Sequence, residues 1–160
     1  MNAQVATNEI HTMREVLQDY PPGIRALDEL ERHKGNIPTA FEDLWVEKNG
    51  AVALPEKKSL WQTTLNVLRN ELCGDDGFRT QVKEYSKNPA STPLLTGLIV
   101  YLVGISGLPI DPAIATVVVL YILKIGLNIF CEYTGGLYFV LCVCGIYETR
   151  HKYVCGILPS

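Results

Sequence analysis

Cys131, Cys142, Cys144 and Cys155 crowd the end of the sequence with His151 among them, while Cys73 stands alone. Thiolates and an imidazole are zinc ligands, but zinc sites usually space their cysteines C-x₂₋₄-C, and Cys142-x-Cys144 does not fit. Cysteines in apolar surroundings behave as small buried hydrophobes, so this pattern points to no metal and no cofactor. Gly74-Asp75-Asp76-Gly77 lacks the alternating ligand spacing of a calcium loop. Helix capping is its expected use. His11, His33 and His151 are far apart, show no partner pattern and read as surface residues. The sequence has no G-x-S-x-G, H-E-x-x-H, P-loop or G-x-G-x-x-G pattern. An enzyme is therefore the least expected class.

One polar constellation remains. Tyr121, Lys124, Asn128 and Glu132 recur at i, i+3, i+7 and i+11 within an apolar run, which places them on one face of a helix. An intramembrane lysine costs about 2.5–3.5 kcal/mol, so it faces a partner, a cavity or water. In a ring of subunits this stripe would line a pore or make an oligomer contact. The alternative is that Lys124 snorkels to the nearer interface, although helical side chains lean toward the N-terminus, away from it.

The elements that carry these residues can be read from periodicity. Before residue 90 the chain reads as five short amphipathic helices. The first covers about 8–19, with Ile10, Met13, Val16 and Leu17 on one face, and Pro21-Pro22 ends it. The second buries Ile24, Leu27 and Leu30 and stops at Gly35. Thr39-Ala-Phe-Glu42 is a capping-box pattern for the third, which turns Phe41, Leu44 and Trp45 inward before Asn49-Gly50. Trp61, Leu65, Leu68 and Leu72 define the fourth. The fifth starts at Asp75 or Asp76 and buries Phe78, Val82 and Tyr85.

An apolar hairpin follows. Thr92-Pro93 opens its first helix and Asp111-Pro112 its second, which is expected to run over 113–131. Pro109, Asp111 and Pro112 form the corner. Gly97, Gly104 and Gly107 permit close helix approach.

The 160 residues carry a net charge of −3, but the charges are unevenly placed. Residues 1–92 contain 11 Lys/Arg and 14 Asp/Glu; residues 93–160 contain three of each. No basic stripe marks a nucleic-acid interface. The N-terminus lacks a signal-peptide pattern, which places the start of the chain in the cytoplasm with reduced thiols.

Between Leu94 and Cys131 only Asp111 and Lys124 are charged. A helix apolar all round is buried in a large core or in a membrane. A chain this short offers little protein to cover two such helices. The second helix, at about 20 residues, matches a ~30 Å hydrocarbon core; the first, at about 15–17, is marginal. Arg79, Lys83 and Lys87 precede the pair, Arg150 and Lys152 follow it, and the corner has no Lys or Arg. The positive-inside rule then puts both ends in the cytoplasm and Asp111 on the far side.

The expected fold is all-α: a soluble cytoplasmic helical domain (1–90), a transmembrane helical hairpin (91–134) and an apolar Cys-rich tail (135–160). The tail reads as a β-hairpin, an interfacial segment or a third span.

The stretch GLPIDPAIATVVVLYILKIGLNIFC, within Leu94 to Cys131, resembles the hairpin of small bacterial two-helix membrane effectors encoded in defence operons. That resemblance implies an inner-membrane protein held quiet by a regulatory partner or by its own soluble domain. It would act by homo-oligomerising in the lipid bilayer and permeabilising it. Two other readings compete. One is a membrane-anchored adaptor whose helical domain recruits a partner; the other is a soluble all-α interaction domain with the hairpin buried in its core.

Overall fold

The computed structural model describes residues 3–51 and 59–133. They form eight helices: α1 (Thr7–Val16), α2 (Pro21–Arg32), α3 (Ile37–Asn49), α4 (Leu60–Leu72), α5 (Asp76–Lys87), α6 (Thr92–Ile105), α7 (Pro112–Ile125) and α8 (Leu127–Tyr133). Among the described residues there is no strand, only an antiparallel bridge between Gln4 and Asn36.

Side-chain caps fix where most of these helices start. Asp75 accepts from the Phe78 amide at 2.6 Å, and Asp111 accepts from the Ile114 amide at 2.9 Å. Ser59 caps α4 in the same way. For α3 the cap is Asn36, not Thr39: the Asn36 side chain accepts from the Thr39 amide at 3.1 Å. Pro38 in the first turn lets the helix begin earlier, because its missing N–H needs no partner there. For α6 the cap is Ser91. Thr92 instead donates its hydroxyl to the Val16 carbonyl and ties α6 to the end of α1.

The transmembrane hairpin is not borne out. Among the described residues no helix is long and apolar enough to cross a membrane. The expected 113–131 helix breaks at Gly126, whose φ of +88° closes α7. α6 and α7 have 14 residues each, about 21 Å at 1.5 Å per residue, well short of a ~30 Å hydrocarbon core. The membrane, pore and channel readings and the inner-membrane location lose the span on which they rested.

What covers the apolar hairpin is the rest of the chain. α7 packs against α2, α3 and α6, and every residue from Ala113 to Ile122 is buried. One apolar core runs from Val5 in the N-terminal segment to Phe130 in α8. α7 is its central helix, which explains why it has no polar face over those ten residues. Each Val, Leu or Ile so buried contributes roughly 1.5–3 kcal/mol.

The hairpin corner is also held inside the molecule. Asn49 at the end of α3 donates to the Pro109 carbonyl at 3.0 Å. Arg25 of α2 lies 3.6 Å from Asp111 and 2.7 Å from Glu47 of α3. Asp111 thus meets the N-terminal helices instead of facing away from them across a bilayer. The tail at 135–160, with Cys142, Cys144, His151 and Cys155, lies outside the described residues.

Gly35 locks the N-terminal segment onto this frame. The Val5 amide donates to the Gly35 carbonyl at 2.8 Å and the Ile37 amide to the Ala3 carbonyl at 2.9 Å. Gly35 has φ +82°, and a Cβ there would collide with the Val5 carbonyl oxygen. Gly35→Ala combines a left-handed backbone penalty of about 1–2 kcal/mol with a backbone overlap. Its expected cost is about 2–4 kcal/mol, read from urea unfolding. Gly50→Ala serves as control, because Gly50 shares a positive φ but has open space around it.

Candidate functional site

The four residues of the polar stripe reach four different surroundings. Tyr121 points into the core, where its ring meets Trp61 edge-on with centroids 5.0 Å apart. Lys124 Nζ donates to both carboxylate oxygens of Glu9, at 3.0 and 2.8 Å, joining the C-terminal end of α7 to the first turn of α1. Asn128 Oδ1 accepts from Arg79 of α5 at 2.9 Å. Glu132 is exposed on α8. Lys124 therefore finds its countercharge within its own chain.

The Glu9 carboxyl is held below its ordinary value, first by the hydrogen bond from Lys124 and then by the Ala6 amide. A depressed carboxylate contributes stability above its unfolded-state pKa, near 4.5, and loses it as pH falls through the lower folded value. Both side chains are partly exposed, so Lys124→Gln is expected to cost no more than about 1 kcal/mol. The difference from the parent should disappear below that pH window in urea titrations.

Of the helix-packing glycines, none makes a tight helix contact among the described residues. A Cβ on Gly97 would meet only Gln81 Oε1 at 3.7 Å, and those on Gly104 and Gly107 would meet nothing within 4 Å. Gly107 has φ +62° and stands in the turn after α6.

Two grooves flank the C-terminal part of α7. The first, about 320 Å³, is lined by Met13, Tyr85, Leu120 and Leu123, with the Glu9–Lys124 pair at its rim. The second, about 520 Å³, runs between α5 and the α7–α8 junction. Arg79, Lys83 and Lys87 of α5 line it at i, i+4 and i+8, facing Ile125, Leu127 and Ile129. Among the described residues no acidic one lines it, and Ile129 is 48% exposed. This groove offers apolar contact beside three cationic side chains.

A third cluster escaped the sequence reading. Glu29 and His33 lie one turn apart on α2 and its C-cap, and Asp43 faces them from α3. His33 Nε2 lies 3.1 Å from Glu29 Oε1 and 2.7 Å from Asp43 Oδ2. Far from being a free surface residue, His33 is half-enclosed by two carboxylates. The Glu29-x-x-x-His33 spacing was the available signal; the approach of Asp43 was not visible. The ring nitrogen faces carboxylates, not a hydroxyl or thiol nucleophile, so hydrolytic triad chemistry finds no support here.

Cys73, expected to stand alone and reduced, is bonded to Cys131. The bond fastens α8 to the end of α4 across 58 residues, a pairing that forms under oxidising conditions.

Among the described residues these features define an all-α domain with a disulfide-fastened last helix, α8, and a cationic apolar groove. No protein-family model, curated protein or solved structure matches the chain.

Proposed function

We propose that this chain is a non-catalytic helical interaction module whose apolar hairpin is its own core. The observation that carries the reading is the enclosure of α7 by α2, α3 and α6. Apolar surface used up inside one chain is not left over for lipid or for a subunit ring. Among the described residues, the surface assigned to recognition is the groove between α5 and the α7–α8 junction. Its partner is an acidic, amphipathic segment. Carboxylates would meet Arg79, Lys83 and Lys87, and apolar side chains would meet Val82 and Ile129. Electrostatic complementarity of this kind sets partner choice and association rate.

The test has two parts. The full chain is expected to extract without detergent and to run as a single sharp species. A photocrosslinking residue at position 83, in the groove, is expected to give a discrete adduct in cells, while one at exposed position 62 on α4 gives none. Recovery only in detergent, or the same adducts from both positions, would overturn the proposal.

A further inference from the structure

We infer that Glu29, His33 and Asp43 form a binding site for a divalent transition-metal ion of the zinc class. The three donor atoms all lie within 4.8 Å of one another. They come from two helices, so the site is assembled only when α2 and α3 pack together.

Two observations point to a cation. The first is the single ring nitrogen. A histidine Nε2 carries at most one proton and directs it along one line in the ring plane. Here two carboxylate oxygens, at 3.1 and 2.7 Å, converge on that nitrogen. One proton cannot make a good hydrogen bond to both. A metal ion can take the nitrogen lone pair and bind both oxygens at once.

The second is Glu29. It is the only charged residue among the described buried ones, with a side chain only 7% exposed. Arg32 lies 3.1 Å from the same Glu29 oxygen but is 70% exposed, which leaves its charge largely to solvent, and Arg25 adds only a longer-range attraction. A buried carboxylate requires pairing or metal coordination. An ion at this point would meet that requirement where the solvated arginine does so only weakly.

The donor set narrows the choice of ion. One imidazole and two carboxylates suit zinc, cobalt or manganese, while a soft ion such as Cu(I) seeks sulfur. Three protein donors leave at least one coordination position for water, and the half-exposed Asp43 puts that position near the surface. When bound, the ion would tie the end of α2 to α3.

Cobalt(II) is the probe, because its visible absorption reports coordination and a thiolate ligand adds a distinct charge-transfer band. The full chain, with its disulfide intact and freed of metal by chelation, is titrated with cobalt and then back-titrated with zinc. One saturable equivalent without a thiolate band is expected, and zinc should displace it. Asp43→Asn and His33→Gln are each expected to weaken binding by about 100-fold or more, since even outer-shell changes cost 10–100-fold. Asp43 is exposed, so its variant tests the site even if the His33 variant folds poorly. No saturable absorption, a thiolate band, or a loss below tenfold in Asp43→Asn would overturn the assignment. Any of these would leave the cluster as a hydrogen-bonded clamp.

Discussion

Phe41→Ala is expected to lower the unfolding free energy by about 3–5 kcal/mol and to speed hydrogen exchange along α7 as well as α3. Phe41 is fully buried. Its ring lies 5.8 Å from that of Trp45 and 5.1 Å from that of Trp61. Trp61 in turn stands edge-on to Tyr121 of α7 at 5.0 Å. The chain of rings links α3 and α4 to the central helix. Removing the first ring opens a cavity that Trp61 can fill only by withdrawing from Tyr121.

The effect on α7 is the discriminating part. A hairpin that folded as a separate unit would keep its exchange protection while α3 lost its own. Slow α7 amides in Phe41→Ala would therefore break the claim of one shared core. Val46→Ala on the outer face of α3, where Val46 is 45% exposed, should stay within about 0.5 kcal/mol of the parent.

Removing the Cys73–Cys131 bond is expected to cost roughly 4 kcal/mol, the chain-entropy value for closing a loop of this length. The cysteines are 58 residues apart, and the loop they close contains α5, α6 and α7. Cys73→Ala/Cys131→Ala should match the reduced parent in urea unfolding, and both should fall below the oxidised parent. The loss should show first as faster exchange in α8. This helix has only seven residues and is joined to α7 through Gly126, too short to persist without tertiary support. Equal stability of oxidised and reduced parent would show that the bond contributes nothing to the fold.

Much of the local structure was legible. Asp75 and Asp111 are caps as read, because a short carboxylate before an apolar run has an orphan amide to accept from. The five helices before residue 90 occur where the 3.6-residue apolar period placed them. Two helices, α6 and α7, do occupy the apolar stretch, but the membrane hairpin read there is not borne out. The surroundings of that stretch were misread. Residues 113–131 read as one helix long enough to span because a single glycine inside an apolar helix is usually tolerated. Gly126 instead adopts φ +88°. The chain turns there, and Leu127 and Phe130 become buried in the core while Cys131 reaches Cys73.

The sequence by itself determined which residues avoid water and roughly where most helices begin; it put Tyr121, Lys124, Asn128 and Glu132 on one face only by running a single helix through Gly126, where the chain turns from α7 into α8. It could not say what covers the apolar residues. The hydrophobic effect is nondirectional, so Val117 or Val118 has the same preference for lipid, for a second subunit or for α2 and α3. Only the tertiary structure chose among these, by folding the N-terminal helices around α7. The same packing brought Glu9 to Lys124 across 115 positions, Cys73 to Cys131 across 58, and Asp43 to His33. Such pairings depend on how helices cross, and no local period encodes that.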